Sequence, residues 1–163
     1  MNVTTKVTKD NVGELLRSLQ ELARRDVLVG VTEERSDRDD PEAGTLGNAS
    51  LAYIHEHGSP VQNIPARPFL EPGIQAAKER VAGMFEKAAQ AALDGKEAAA
   101  VQALDKAGLI AQNTVRARIT SGPFAPLAQA TLAARRRRGR TGTKPLIDTG
   151  QLRNSITYVV REK

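Results

Sequence analysis

NIPARPFLEPGI, Asn63 to Ile74, sets three prolines within eight positions and then opens into a helical pattern. Proline fixes φ and biases the residue before it toward extended backbone, so Pro65, Pro68 and Pro72 describe a stiff run. Phe69, Leu70 and Ile74 inside it are apolar and call for burial. Pro72 suits a first helical turn, where its missing N–H costs nothing. The stretch therefore reads as a rigid, partly buried lead into a long helix.

Beyond it, Ile74, Ala77, Val81, Met84, Phe85 and Ala88 recur at helical spacing to about Leu93, and Asp94-Gly95 marks a break. A second helix is expected from Glu97 to about Ile119, with Val101, Leu104, Gly108, Ala111 and Val115 on one side. The pair forms either an antiparallel hairpin or one kinked helix. Thr120-Ser121-Gly122-Pro123 stops the run, and the chain to Pro145 reads as irregular, with a short helical candidate near Leu127 to Ala134.

On the other side, Asn11 and Glu14 have the spacing of a capping box. Val12, Leu15, Leu16, Leu19, Leu22 and Ala23 then make an apolar helical stripe, with Arg24 and Arg25 in its last turn. Val27 to Val31 is rich in β-formers. Glu33 to Asn48 is polar and reads as an exposed loop, and Ala49 to His57 as a short helix ended by Gly58. Near the C-terminus, Ile156, Tyr158 and Val160 alternate with Thr157 and Val159, a half-buried strand. The expected fold is one α+β domain over residues 1–163. A small antiparallel sheet, Val27–Val31 beside Ile156–Val160, packs on the N-terminal helix and two long central helices, with extended loops. Because two strands make a weak sheet alone, a third is expected from Pro65–Leu70 or from a neighbouring subunit.

The chain has no cysteine, hence no disulfide or thiolate chemistry, and no apolar run long enough to span a bilayer. MNVTTKVTKD lacks the apolar core of a signal peptide, so synthesis in the cytoplasm is expected. The net charge of +5 is unevenly spread: residues 116–163 carry eleven Lys or Arg against two acids. Glu33, Glu34, Asp37, Asp39, Asp40 and Glu42 meanwhile crowd into ten positions. Such a chain can associate head to tail with its own copies, or simply hold two solvated loops of opposite sign.

Catalytic patterns are thin. His55-Glu56-His57 offers two imidazoles but no third ligand, and HExxH is absent. The acidic loop lacks the spacing of a calcium loop. GRTGTK, Gly139 to Lys144, lacks the G-K-[ST] ending of a phosphate loop. Ser59 is in no nucleophile elbow, and Asn48-Ala49-Ser50 is a glycosylation sequon by chance. No enzyme activity and no cofactor or metal are expected.

The strongest local signal is Arg135, Arg136, Arg137, Arg138 and Arg140, within an arginine-rich loop of about 120–145. Five guanidiniums repel one another, so this loop should stay extended or meet an anion: phosphate backbone or an acidic protein rim. Aromatics for stacking on bases are scarce nearby. KPLIDTGQLRNSI, Lys144 to Ile156, follows. Asp148 can cap a turn with Gln151 reaching back, while Leu152 and Ile156 point inward.

EHGSPVQNIPARPFLEPGI, SGPFAPLAQATLAARRRRG and KPLIDTGQLRNSITYVV, in this order, resemble the neck or tail-completion proteins of long-tailed bacteriophages, the HK97-type tail-component and Mu-type virion-morphogenesis group. The resemblance covers roughly Leu51 to Val160 and is strongest over Pro65–Leu70 and Leu146–Ile156. It implies a non-catalytic virion protein that forms a six- or twelve-fold ring of its own copies. That ring joins a head-side connector to the tail tube or tail terminator, with the genome passing through. It further implies that Pro65, Arg67, Pro68, Phe69, Leu70, Asp148, Gln151 and Arg153 serve partner or subunit contacts. Arg135, Arg136, Arg137, Arg138 and Arg140 would face genomic double-stranded DNA or an acidic rim. The other reading is a small, basic, sequence-independent DNA-binding protein.

Overall fold

The computed structural model describes residues 11–38 and 46–163. The fold is α+β, as expected. Its centre is an antiparallel hairpin of two long helices, here α3 (Leu70–Leu93) and α4 (Glu97–Ser121). Gly95, at φ +70°, turns the chain between them. The kinked single helix is thereby excluded. The interface is built from small side chains: Ala77, Ala88 and Ala92 of α3, and Ala100, Ala103, Ala107 and Ala111 of α4, are buried. Gly73 lies directly on Val115, so the two backbones approach closely at that end.

Strands β1 (Arg25–Val31) and β2 (Ile156–Glu162) pair antiparallel, with Val27 opposite Val160, Val29 opposite Tyr158 and Val31 opposite Ile156. They form the only sheet among the described residues, resting on α4. Gly108 lies beneath the Tyr158 ring, where a Cβ would collide with it. A third strand at Pro65–Leu70 is not present: residues 65–69 join no sheet, Leu70 already opens α3, and a single bridge, Ser59 to Ile64, lies just before them. Two prolines without N–H groups cannot join a ladder fully.

Helix α1 (Val12–Ala23) lies against α3. Asn11 stands at its N-cap but makes no side-chain cap bond, so the capping box is not formed. Arg25 belongs to β1, not to a last helical turn. The apolar stripe of α1 is only partly covered: Val12 is 60% and Leu16 54% exposed. Of the expected loop, Glu33–Arg35 forms one 3-10 turn, and residues 39–45 lie outside the described set. Helix α2 (Asn48–His57) begins at a buried Asn48, whose Nδ2 donates to the carbonyls of Arg35 and Asp37. Both acceptors fix that amide inside the fold, so the sequon has no accessible acceptor.

The proline-rich stretch joins α2 to α3. Glu56, the second-last residue of α2, reaches the start of α3 with its carboxylate. Oε2 accepts the N–H groups of Phe69 and Leu70 at 2.8 and 2.9 Å, and Oε1 that of Glu71 at 3.0 Å. Pro72 has no N–H to satisfy, and Gly73 donates to the Phe69 carbonyl. Each donor at this helix end therefore has a partner, and a carboxylate sits where the helix dipole favours one. Phe69 is fully buried, packed with Val115, Ile119, Leu146, Leu152 and Ile156.

Phe69→Ala should therefore lower unfolding stability by about 3–5 kcal/mol. Glu56→Ala should cost about 2–3 kcal/mol, since three charge-assisted bonds vanish at once. Val61→Ser, at a 98% exposed position, should stay within about 0.5 kcal/mol. Urea unfolding followed by circular dichroism measures all three.

Candidate functional site: the arginine helix and the DTGQL loop

The arginine run is not an extended loop. Arg135, Arg136 and Arg137 form the last turn of α5 (Gln129–Arg137), and Gly139, at φ +71°, ends it. The Gly139 N–H donates to Arg136 O at 2.9 Å and the Arg140 N–H to Arg135 O at 2.9 Å, a left-handed helix cap. Positive side chains at a helix C-terminus meet the negative end of its dipole. Mutual repulsion is thus answered first by backbone.

Arg135 is buried. Its NH1 group donates to the carbonyls of Gly142 at 2.8 Å and Lys144 at 3.1 Å, and its Nε lies 3.4 Å from Asp148 Oδ1. Arg140 reaches the other oxygen of Asp148 at 2.7 Å. Asp148 is therefore the counter-ion of two arginines and not a helix cap. The short helix α6 (Gln151–Ser155) instead follows Gly150, at φ +82°, and Gln151 N–H meets Thr149 Oγ1 at 3.4 Å. Arg136, Arg137 and Arg138 are exposed. Arg135, unlike them, is spent on holding the loop.

The expected contact residues separate into two groups. Arg67 is buried, donating from Nε to Ala125 O at 2.8 Å and from NH2 to Pro126 O at 2.9 Å, and burial lowers its pKa. Arg67 and Phe69 are thus internal and cannot be surface contacts; both are drawn inward because α2, α3 and the chain after Pro123 meet there. Leu70 is half-buried, while Pro65 and Pro68 are exposed. The second group converges: Asp148, Gln151, Arg135 and Arg138 line a cavity of about 180 Å³ together with Arg38 and His55. His55 Nδ1 is buried there without a hydrogen-bond partner. Burial, then the charges of Arg67 and Arg38, push its pKa from 6.5 down to about 4.

Two features were not legible in the sequence. Arg35 and Arg116, distant in the chain, gather beside Arg153. Arg35 NH1 and Arg116 NH2 donate to the same oxygen, Asn154 O, at 3.2 and 3.3 Å. Arg116 also bonds Ile156 O through Nε at 3.0 Å and NH2 at 2.6 Å, and Arg153 Nε donates to Thr120 Oγ1 at 3.0 Å. Burial and the charges of Arg153 and Arg35 lower the Arg116 pKa. No local motif marks such a cluster. The second feature is an open apolar groove of about 450 Å³ between β1 and α3, edged by Val27, Val29, Ile74, Val81 and Phe85. Ile74 and Phe85, read as inward positions, remain 40% and 43% exposed because the two-stranded sheet covers α4 and stops short of α3.

Among the described residues, no three His, Cys, Asp or Glu side chains gather as metal ligands, and no helix is long and apolar enough to cross a membrane. Glu56, the middle of His55-Glu56-His57, is committed to α3.

Asp148→Asn should cost about 1–3 kcal/mol, because it strands the buried Arg135 guanidinium, while Arg136→Ser should change stability by less than about 0.5 kcal/mol. His55 gives a pH test. Above pH 6.5 the imidazole is neutral in both states; as pH falls from 6.5 toward 4, only the unfolded chain takes up a proton. Stability should drop through that window by up to about 3 kcal/mol, and His55→Gln should remove this part of the drop. Urea midpoints at several pH values measure it.

Compared with known proteins, the chain matches no family model, no curated protein and no solved structure.

Proposed function

We propose that this chain is a structural assembly protein, one copy of a ring in the neck of a long-tailed phage virion. The ring would join a head-side connector to the tail tube or tail terminator, around a channel for the genome, and would carry out no catalysis. The observation that carries this reading is the uncovered apolar surface of the helical layer. Val12 and Leu16 on α1, and Ile74 and Phe85 beside the groove, together leave large side chains in water. A chain that acted alone would gain by burying them, and an exposed apolar groove of this kind marks an interaction site.

Two further features support it. PARPFL presents its exposed prolines from a rigid base, since Arg67 and Phe69 are anchored inside, so a neighbour would meet a preorganised edge. The sequence resemblance over residues 51–160 supplies the virion context. Six- or twelve-fold copy number and virion location rest on that resemblance.

The second reading, a small basic DNA-binding protein, is favoured by the exposed Arg136, Arg137 and Arg138. It requires a monomer or dimer whose affinity for duplex DNA falls steeply with salt.

Native mass measurement with and without the purified connector separates the two. The ring reading expects a multi-copy mass, alone or on the connector. It also expects Phe85→Ser to stay folded while that mass is lost. A monomer in every condition, with salt-sensitive DNA binding abolished by replacing Arg136, Arg137 and Arg138 with serine, would establish the second reading instead.

A further inference from the structure

We propose that Arg35, Arg116 and Arg153 form a phosphate-binding site. The three side chains come from different elements: the 3-10 turn after β1, the last third of α4, and α6. Arg35 and Arg116 are held so close that they share the Asn154 carbonyl oxygen. Arg153 is tied to Thr120, whose own hydroxyl donates to the Arg116 carbonyl at 2.9 Å. The cluster is therefore oriented by backbone carbonyls and by one threonine.

Among the described residues, no carboxylate forms an ion pair with this cluster; the pairs formed engage Arg25, Lys96, Arg135, Arg140 and Lys163. Asp148, the acid of the neighbouring loop, is occupied by Arg135 and Arg140. Carbonyl oxygens orient a guanidinium but do not neutralise it. Each guanidinium carries five N–H donors. Here Arg35 uses NH1 alone and Arg153 uses Nε alone in bonds among the described residues, leaving donors for a ligand. Burial first, and then the charges of Arg153 and Arg35, lower the Arg116 pKa, so part of that shift is the mutual repulsion of the three side chains.

Three forks brought from three directions suit an anion with at least three outward oxygens. A carboxylate offers two oxygens in one plane and is matched by a single arginine, whereas phosphate is tetrahedral. The phosphate can belong to a nucleic-acid backbone or be free. The site lies within one chain, so it does not depend on the ring reading and survives that reading's failure.

The test uses the full chain at low salt, with inorganic phosphate and a short random-sequence DNA duplex as probes. Calorimetry and arginine Nε–H NMR signals give the readout. We expect phosphate to shift the Arg153 and Arg35 signals, and Arg35→Gln or Arg153→Gln to weaken binding at least about tenfold. Arg136→Gln should leave phosphate affinity unchanged. These two triad variants spare Arg116, whose removal risks the fold, and their native mass distribution should match the wild type. Duplex binding that falls in the same variants would assign the phosphate to nucleic acid; a phosphate response without a duplex response would assign a free anion. The proposal is overturned if neither probe binds, if the variants bind as well as the wild type, or if a glutamate-rich peptide outcompetes both probes at the site.

Discussion

The carboxylate of Glu56 is the joint on which the architecture turns. It leaves α2, crosses the proline-rich connector and takes up the N–H groups of Phe69, Leu70 and Glu71 at the start of α3. A helix end buried against other elements cannot leave these donors to water, and Pro72 removes the one that the carboxylate does not reach. With α3 held at this angle, Phe69 falls into the space between α4 and the DTGQL loop, where the principal core forms. The prolines add to this by narrowing the states open to the unfolded connector.

Arginine does a related task elsewhere. The chain from Pro123 to Gly150 has one nine-residue helix, so most of its carbonyls lack ladder partners. Guanidinium groups supply several of them, Arg67 to Ala125 and Pro126 and Arg135 to Gly142 and Lys144, and Arg116 does the same just beyond, at Asn154 and Ile156. A planar fork spans two successive or nearby oxygens at little extra ordering cost, which lysine cannot do. The basic character of the C-terminal third is therefore partly architectural. Arg136 and Arg137, by contrast, remain exposed at the end of α5.

The helical layer is close-packed through alanine and glycine, yet its cover is incomplete. Two strands protect α4, and the groove beside α3 remains apolar and open. Small side chains let α3, α4 and the sheet approach closely, but they bury little area each. A fold of this composition gains from further apolar contact, and the exposed residues of α1 and α3 are where such contact can be made.

Much of the framework was legible in the sequence by itself. Helical spacing from Ile74 to Val115, the breaks at Asp94-Gly95 and Gly122-Pro123, and the alternation of Ile156 to Val160 marked the hairpin helices and the strand pair. These are local signals, carried by periodicity and by residues that constrain φ. What only the tertiary structure decided was where each polar side chain spends its bonds. Arg67 and Arg135 look like surface residues by type and are buried; Asp148 has the spacing of a cap and serves as a counter-ion; Glu56 sits in an apparent metal motif and caps a distant helix. Arg35, Arg116 and Arg153 meet only because a turn, a helix and a loop far apart in the chain converge. Partner choice for a long polar side chain depends on carbonyls and charges brought near by folding, and no local spacing encodes that.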